Sequence, residues 1–336
     1  MEPRRLADLQ RHGSACPAGA EGLAFGATTS GWLDWPIGTF VSIVCARSEN
    51  GTGRTIRGES MPRSNQRVVL VIGASSGIGR ACALELARRG NRVYGASRRD
   101  PADLADERTS IEKVRMDVDD DASVRAGVRS ILEAEGHIDA LINCAGFGFG
   151  GALEDTSDEE LRAILETNVL GTLRTCRAVL PSMRARGGGT IVNVSSIGGR
   201  IALPFQGHYS ATKFAVEGLS ESLRMEAHPF GVRVVLIEPG DFATGFTDAR
   251  KTVRDGEGDG PYAKAFARAL AVVEKDERGG ASPASIGRLV ARILDARSPR
   301  LRYTVGPLFQ RFAVRAKSIL PSRFFEWGLR KYYHVG

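Results

Sequence analysis

No two of the five cysteines (Cys16, Cys45, Cys82, Cys144 and Cys176) form a CxxC pair. Their odd number and scattered spacing argue against a disulfide framework and for reduced thiols in a cytoplasmic setting. The five histidines show neither HxxxH nor HExxH spacing, so a metal site has no support. No long uninterrupted apolar run is present. The stretch from Leu23 to Ala46 is broken by Asp34, Pro36 and several glycines and does not make a membrane span. Arg4, Arg5 and Asp8 have no apolar segment behind them, so a secretory signal is not expected. Low-complexity tracts and short internal repeats are also missing. What remains is an ordinary globular composition, 42% apolar and 25% charged over 336 residues, enough to bury a sizeable core without covalent staples.

A basic face running through the chain is lacking too. The net charge is +7, but residues 301–336 hold seven Lys/Arg against the single Glu326, and the rest is nearly neutral. A duplex-binding footprint, and with it a nucleic-acid partner, is therefore not expected.

Residues 1–64 are glycine-rich and without periodicity, and read as a poorly ordered leader. Met61 lies six residues ahead of the first strand, so residues 1–60 are expected to be dispensable, an upstream extension from a misassigned start. A partner-binding segment using Trp32, Trp35 and Phe40 is the rival. From Arg67 the texture changes. Val68–Ile72 is a continuous apolar run, followed by glycines and then by helical spacing from Ile78 to Arg89. Runs of this kind are strands covered on both faces. Further strands fall at 92–96, 114–116, 138–143, 190–194 and 232–237, separated by helical stretches, notably 121–135, 158–185 and 209–228. Alternating βα units specify an α/β fold, a doubly wound parallel sheet of the Rossmann type in one main domain over 65–300.

The turn after the first strand reads Gly73-Ala-Ser75-Ser76-Gly77-Ile78-Gly79. Glycines there permit a tight turn and close approach of a pyrophosphate to the N-terminus of the next helix, although the spacing is GxxxGxG rather than GxGxxG. At the end of the second strand an NAD site wants a carboxylate for the ribose hydroxyls. This sequence has Ser97, Arg98 and Arg99, which suit a 2′-phosphate and point to NADP, with NADPH preferred over NADH. The bland alternative is solvated surface charge. Tyr209 and Lys213, four apart on a helix, share a face. A free tyrosine titrates near 10, and a neighbouring ammonium lowers that value. Ser196 ends the fifth strand, and Asn168 lies farther back.

Gly73-x3-Gly77-Ile78-Gly79, Asn143-Cys-Ala145-Gly146, Asn168, Ser196, Tyr209-x3-Lys213 and Pro239-Gly240 together resemble the short-chain dehydrogenase/reductase family in order and spacing. The resemblance covers about residues 66–245. Its finer texture is similar to the steroid and retinoid branch, the 17β-hydroxysteroid dehydrogenases among them. It implies that Tyr209 exchanges a proton with substrate, Lys213 holds the nicotinamide ribose and lowers the tyrosine pKa, Ser196 holds the substrate oxygen and Asn168 positions a water leading to Lys213. It also implies an adenine contact at Asp117 and further cofactor contacts at Ser75, Ser76, Ile78, Val118, Ala145 and Thr244. Two departures stand out: Ile72 where the family usually has threonine, and Cys144 where a second asparagine is common. Cys144 reads as a packed, inert thiol, and His208 as structural or solvent-facing.

The expected function is NADP(H)-dependent interconversion of a hydrophobic ketone or aldehyde with its alcohol. Phe147, Phe149, Leu203 and Phe205 suggest the apolar pocket. A non-catalytic NADP-binding redox sensor is the rival, and epimerases and dehydratases also use YxxxK. A homo-oligomer is expected. The tail, residues 301–336, carries eight of the 23 aromatics and reads as a final strand at Arg302–Gly306 and two short helices about Pro321. It is expected to pack back on the main domain, its apolar side capping the substrate cleft or a subunit interface. Weak peripheral contact with an anionic membrane is the alternative.

Overall fold

The computed structural model describes residues 66–98, 111–253 and 260–335. The proposed leader, together with Arg99, lies outside the described residues. Seven strands form one parallel sheet: β1 (Val68–Ile72), β2 (Arg92–Ser97), β3 (Ile111–Arg115), β4 (Ala140–Asn143), β6 (Gly189–Val194), β7 (Val232–Pro239) and β9 (Arg302–Val305), in the order β3-β2-β1-β4-β6-β7-β9. A separate parallel pair joins β5 (Phe149–Gly150) to β8 (Lys251–Thr252). Helices α1 (Gly77–Arg88), α2 (Asp121–Glu135), α3 (Asp158–Leu165), α4 (Thr172–Ala185), α5 (Gly207–Ala227), α6 (Ala263–Arg278), α7 (Ala284–Asp295), α8 (Leu308–Lys317) and α9 (Ser322–Tyr332) complete the fold.

All five residues of β1 are buried, because alternate side chains enter two different cores. Val69 and Val71 pack with Cys82 and Leu86 of α1 and with Ile286 and Val290 of α7. Val68, Leu70 and Ile72 face Val128 and Ile131 of α2 and Val179 and Met183 of α4 on the other side. The two helices on the first face approach closely: a Cβ on Gly287 would stand 2.6 Å from the Ala81 carbonyl oxygen. Local signals set the helix ends. Asp120 caps α2 by accepting from Ala122 N, Gly136 ends it with φ 75°, and Ser157 with Glu160 forms a reciprocal capping box on α3.

One helical stretch departs from the sequence reading. Residues 158–185 are not continuous α-helix, since a π-helical segment, Glu166–Gly171, separates α3 from α4 and contains Asn168. Such widened turns recur at functional sites. Helices α6 and α7 had no assignment from the sequence. The tail begins as the expected strand: β9 pairs with β7, and Arg302 on it bridges Glu217 at 2.8 Å and the fully buried Glu238 at 3.2 Å. Arg200 reaches the same Glu238 at 2.9 Å, so that buried carboxylate is compensated from two sides.

Chain order reverses at the sheet's midpoint. β2 and β3 extend to one side of β1, whereas β4 lies on the other. Ligands of open α/β sheets bind above the carboxyl ends of strands at such a switch point. Gly73, Ser97, Asp117, Asn143, Ser196 and Pro239 all lie at that edge, within two residues of a strand end.

Candidate active site

A cavity of about 680 Å³ opens along this edge. Its first wall is the glycine turn. A Cβ on Gly73 would lie 2.9 Å from Ala145 N, and one on Gly79 would lie 2.2 Å from the Gly73 carbonyl oxygen, so both positions are closed to any side chain. Gly77 adopts φ +53°, where a Cβ would meet only Thr244 at 3.4 Å. Ser76 precedes α1 in extended conformation and makes no side-chain cap, leaving the first-turn amides toward the cavity. Ser75, Ser76, Gly77, Ile78 and Gly79 all line it. Ser97, Arg98 and Val118 form the next part of the wall, and Arg98 stands 3.7 Å from Asp119 with its side chain largely exposed. A Gly-rich cradle on a helix N-terminus, with a guanidinium farther along, has the donor set that a phosphorylated dinucleotide requires. These residues fit a nicotinamide dinucleotide.

Ala145, Gly146, Ser196, Tyr209, Lys213, Pro239, Gly240 and Thr244 line the same cavity. α5 delivers Tyr209 and Lys213 one turn apart, with the Lys213 Nζ 5.7 Å from the tyrosine ring centroid and donating to the Val194 carbonyl at 3.0 Å. Ser196, two residues beyond β6, accepts from Gly198 N at 3.0 Å and donates to the Pro239 carbonyl at 3.4 Å. Burial pushes Tyr209 up to about 12, with a hydrogen bond from Ser196 pulling the other way. Burial pushes Lys213 down to about 8, opposed by Cys144 and Glu217. The depression of Tyr209 expected from its lysine is therefore not a property of the chain alone. Desolvation is the largest influence on both groups, which are buried in the same wall.

Three expected contacts lie off the cavity wall. Asn143 is buried beneath it, donating to Asn193 Oδ1 at 2.9 Å and accepting from Thr175 Oγ1 at 2.8 Å. The Asp117 carboxylate accepts from Asp119 N at 3.1 Å and shapes the turn after β3. Asn168 is 1% exposed and fully engaged: it accepts from Phe147 N and donates to the Phe147 carbonyl, both at 3.0 Å, and donates to Thr212 Oγ1 at 3.1 Å. Its visible work is to hold the Ala145–Phe147 segment. A Cβ on Gly146 would come within 3.0 Å of Asn168 Oδ1 and 3.7 Å of Lys213 Nζ.

His208 is buried rather than solvent-facing, 1% exposed and 5.6 Å from the Phe149 ring. Burial lowers its pKa. Cys144 is half-buried and forms part of the wall. Sequence reasoning missed Gln206, Asp241, Phe246, Asp276, Glu277, Gln310 and Tyr333, all of which line the cavity. Asp241 directly follows Pro239-Gly240 and was readable from that proximity. Phe246 lies two residues past Thr244 in the loop between β7 and β8, Gln206 occupies the N-cap position of α5, and the others come from α6 and the tail, which no local pattern ties to the site.

Fold and site thus define an oxidoreductase that uses a nicotinamide cofactor on a doubly wound sheet. The short chain dehydrogenase family model matches residues 67–255. The chain is 44% identical over 272 residues to a 3-ketodihydrosphingosine reductase of Bacteroides thetaiotaomicron, covering 80% of this chain and 98% of that one. A short-chain dehydrogenase from Streptomyces avermitilis superposes with a TM-score of 0.68 at 34% identity, over 79% of this chain and 96% of its own. A Burkholderia phymatum short-chain dehydrogenase/reductase in complex with NAD superposes with a TM-score of 0.65 at 27% identity, over 79% and 95%. This chain belongs to the short-chain dehydrogenase/reductase family and is an oxidoreductase acting on CH–OH groups.

Proposed function

We propose that the chain is an NADP(H)-dependent reductase of hydrophobic ketones or aldehydes, with the alcohol as product and the reverse oxidation available. The observation that carries this reading is the meeting of Tyr209, Ser196 and Lys213 on one wall of a cavity whose glycine cradle and Arg98 suit a phosphorylated dinucleotide. Bound there, the cofactor supplies the hydride. The Tyr209 hydroxyl gives its proton to the substrate oxygen, which the Ser196 hydroxyl orients. Lys213 holds the ribose and, while charged, stabilises the phenolate left behind. Asn168 keeps Phe147 and Gly146 in place. Of the four residues expected to form the apolar pocket, Phe147 and Leu203 line the cavity and Phe149 and Phe205 do not; Phe242 and Phe246 take their place, and this wall suits a hydrophobic substrate. The Bacteroides relative, named a 3-ketodihydrosphingosine reductase, supports reduction of a ketone.

NADPH consumption with a graded series of apolar ketones tests the reaction. Tight NADPH binding without any turnover would favour the redox-sensor reading. Cofactor choice has its own test in Arg98→Asp. Losing a charge-assisted contact and adding repulsion costs about 2 kcal/mol, or roughly 30-fold in affinity, for the phosphorylated cofactor. NADPH binding should weaken by that order and NADH binding far less, as measured by titration of cofactor fluorescence. Equal losses for both would reduce Arg98 to surface charge.

A further inference from the structure

The last two helices have two unlike faces. Ala313 and Val314 of α8 and Phe325 and Leu329 of α9 turn inward onto Ile197, Ile201 and Leu203. Lys317 Nζ donates to the Arg200 carbonyl at 2.6 Å, and the Phe309 and Tyr332 rings, 5.9 Å apart, join α8 to α9. Packing of this kind uses only half of each helix. By helical spacing the opposite half of α8 carries Leu308 and Phe312, one turn apart, flanked by Arg311 and Arg315. That of α9 carries Phe324 and Trp327, flanked by Arg323 and Lys331.

The apolar members of this outward face stand in water. Leu308 is 78% exposed, Phe312 70%, Phe324 68% and Trp327 58%, and Ile319, between the two helices, is 81% exposed. One such residue needs no explanation, but five on a short tail mark an interaction surface. The cations are equally unattended. Arg311, Arg315, Arg323 and Lys331 meet no acid among the described residues, and the tail's single acid, Glu326, stands 3.8 Å from Arg330. A second copy of the chain suits this face badly, because a two-fold contact sets the patch against itself and brings like charge onto like charge. An anionic bilayer answers both needs at once: its phosphates take the arginines and lysine, and its acyl boundary takes the aromatic and aliphatic side chains.

We propose that the outward face of α8 and α9 docks on an anionic membrane, with Leu308, Phe312, Ile319, Phe324 and Trp327 reaching below the headgroups. The contact is peripheral, since no described helix is long and apolar enough to cross a membrane. Gln310 and Tyr333 of the same segment line the catalytic cavity, so the docking tail also walls the site.

The test is co-sedimentation of the full chain with vesicles of phosphatidylcholine alone or with about 30% phosphatidylglycerol. Cofactor and ketone are both left out, so the outcome is independent of the reductase reading. Anionic vesicles should bind the chain at least about tenfold more tightly than neutral ones, and the difference should shrink severalfold between about 0.1 and 0.5 M salt. Phe312→Ser with Trp327→Ser, and separately Arg323→Gln with Lys331→Gln, should each cut anionic binding by about tenfold or more. All four side chains are exposed, so both variants should keep the wild-type melting temperature. Equal binding to the two kinds of vesicle, or anionic binding that survives both pairs of changes, overturns the proposal. So does a dimer dispersed by Phe312→Ser with Trp327→Ser in a chain that ignores vesicles, which would assign the face to a second copy.

Discussion

Tyr209→Phe is expected to lower ketone reduction by at least about a thousand-fold, within the range that a positioned proton donor contributes. The substitution removes one oxygen from a ring that is 8% exposed and packed 5.7 Å from Phe246, so the pocket keeps its shape. NADPH affinity should therefore stay close to wild type, which separates lost chemistry from lost binding. The phenol is well placed for its role. Held up at about 12 by burial, it is almost wholly protonated at neutral pH, which is the form a reductase needs. Single-turnover reduction by Tyr209→Phe at a rate near wild type would show that another group delivers the proton. His208, the neighbouring titratable side chain, turns away against Phe149 and does not line the cavity.

Lys213→Met should lose activity by at least about 100-fold while gaining thermal stability. The sign follows from linkage. The lysine titrates at about 8 in the fold against 10.5 when free, so the fold disfavours its charged form. That penalty is complete below pH 8, shrinks between 8 and 10.5, and is gone above. Each pKa unit is worth about 1.4 kcal/mol, which puts the full penalty at roughly 3 kcal/mol. The methionine also gives up the bond to the Val194 carbonyl, worth about 1 kcal/mol, so a net gain of about 2 remains near neutrality. Melting curves from pH 6 to 10.5 should show the variant ahead at low pH and the gap closing upward. A variant less stable than wild type at pH 7 would mean that the lysine charge is well accommodated without cofactor. An isolated stabilised, inactive variant is the signature of a residue kept for function at a cost to the fold.

The parts of the fold that could be read in advance are those whose signal is local. β1, β2, β6 and β7 appear as continuous apolar runs because both faces of the sheet are covered, and α2 is bounded by Asp120 and Gly136. The glycine turn was legible because steric demand leaves no other residue at Gly73 or Gly79. The four expected catalytic residues come from three separate segments, and only their joint order made them visible. Residues whose role depends on long-range closure were not readable. Gln310 reaches Asp241 from 69 positions away, and Tyr332 reaches Asp276 across 56. The π-helical segment at Asn168 was hidden for another reason: its composition matches the helices on either side, and only the extra residue per turn distinguishes it. Nor could the sequence weigh desolvation against charge at Tyr209. That balance depends on how deeply α5 sits against β6, a matter of packing rather than spacing.

Deuterium transfer tests the central claim most directly. NADPH labelled at C4 on the transferred position is mixed with the purified chain and an apolar ketone, and the alcohol is analysed by mass spectrometry. The account predicts one deuterium per product molecule, carried on the carbinol carbon, with Tyr209→Phe forming far less alcohol under the same conditions and that little carrying the same label. Alcohol appearing without label, or labelled cofactor bound at the glycine cradle and returned unconsumed, would contradict it.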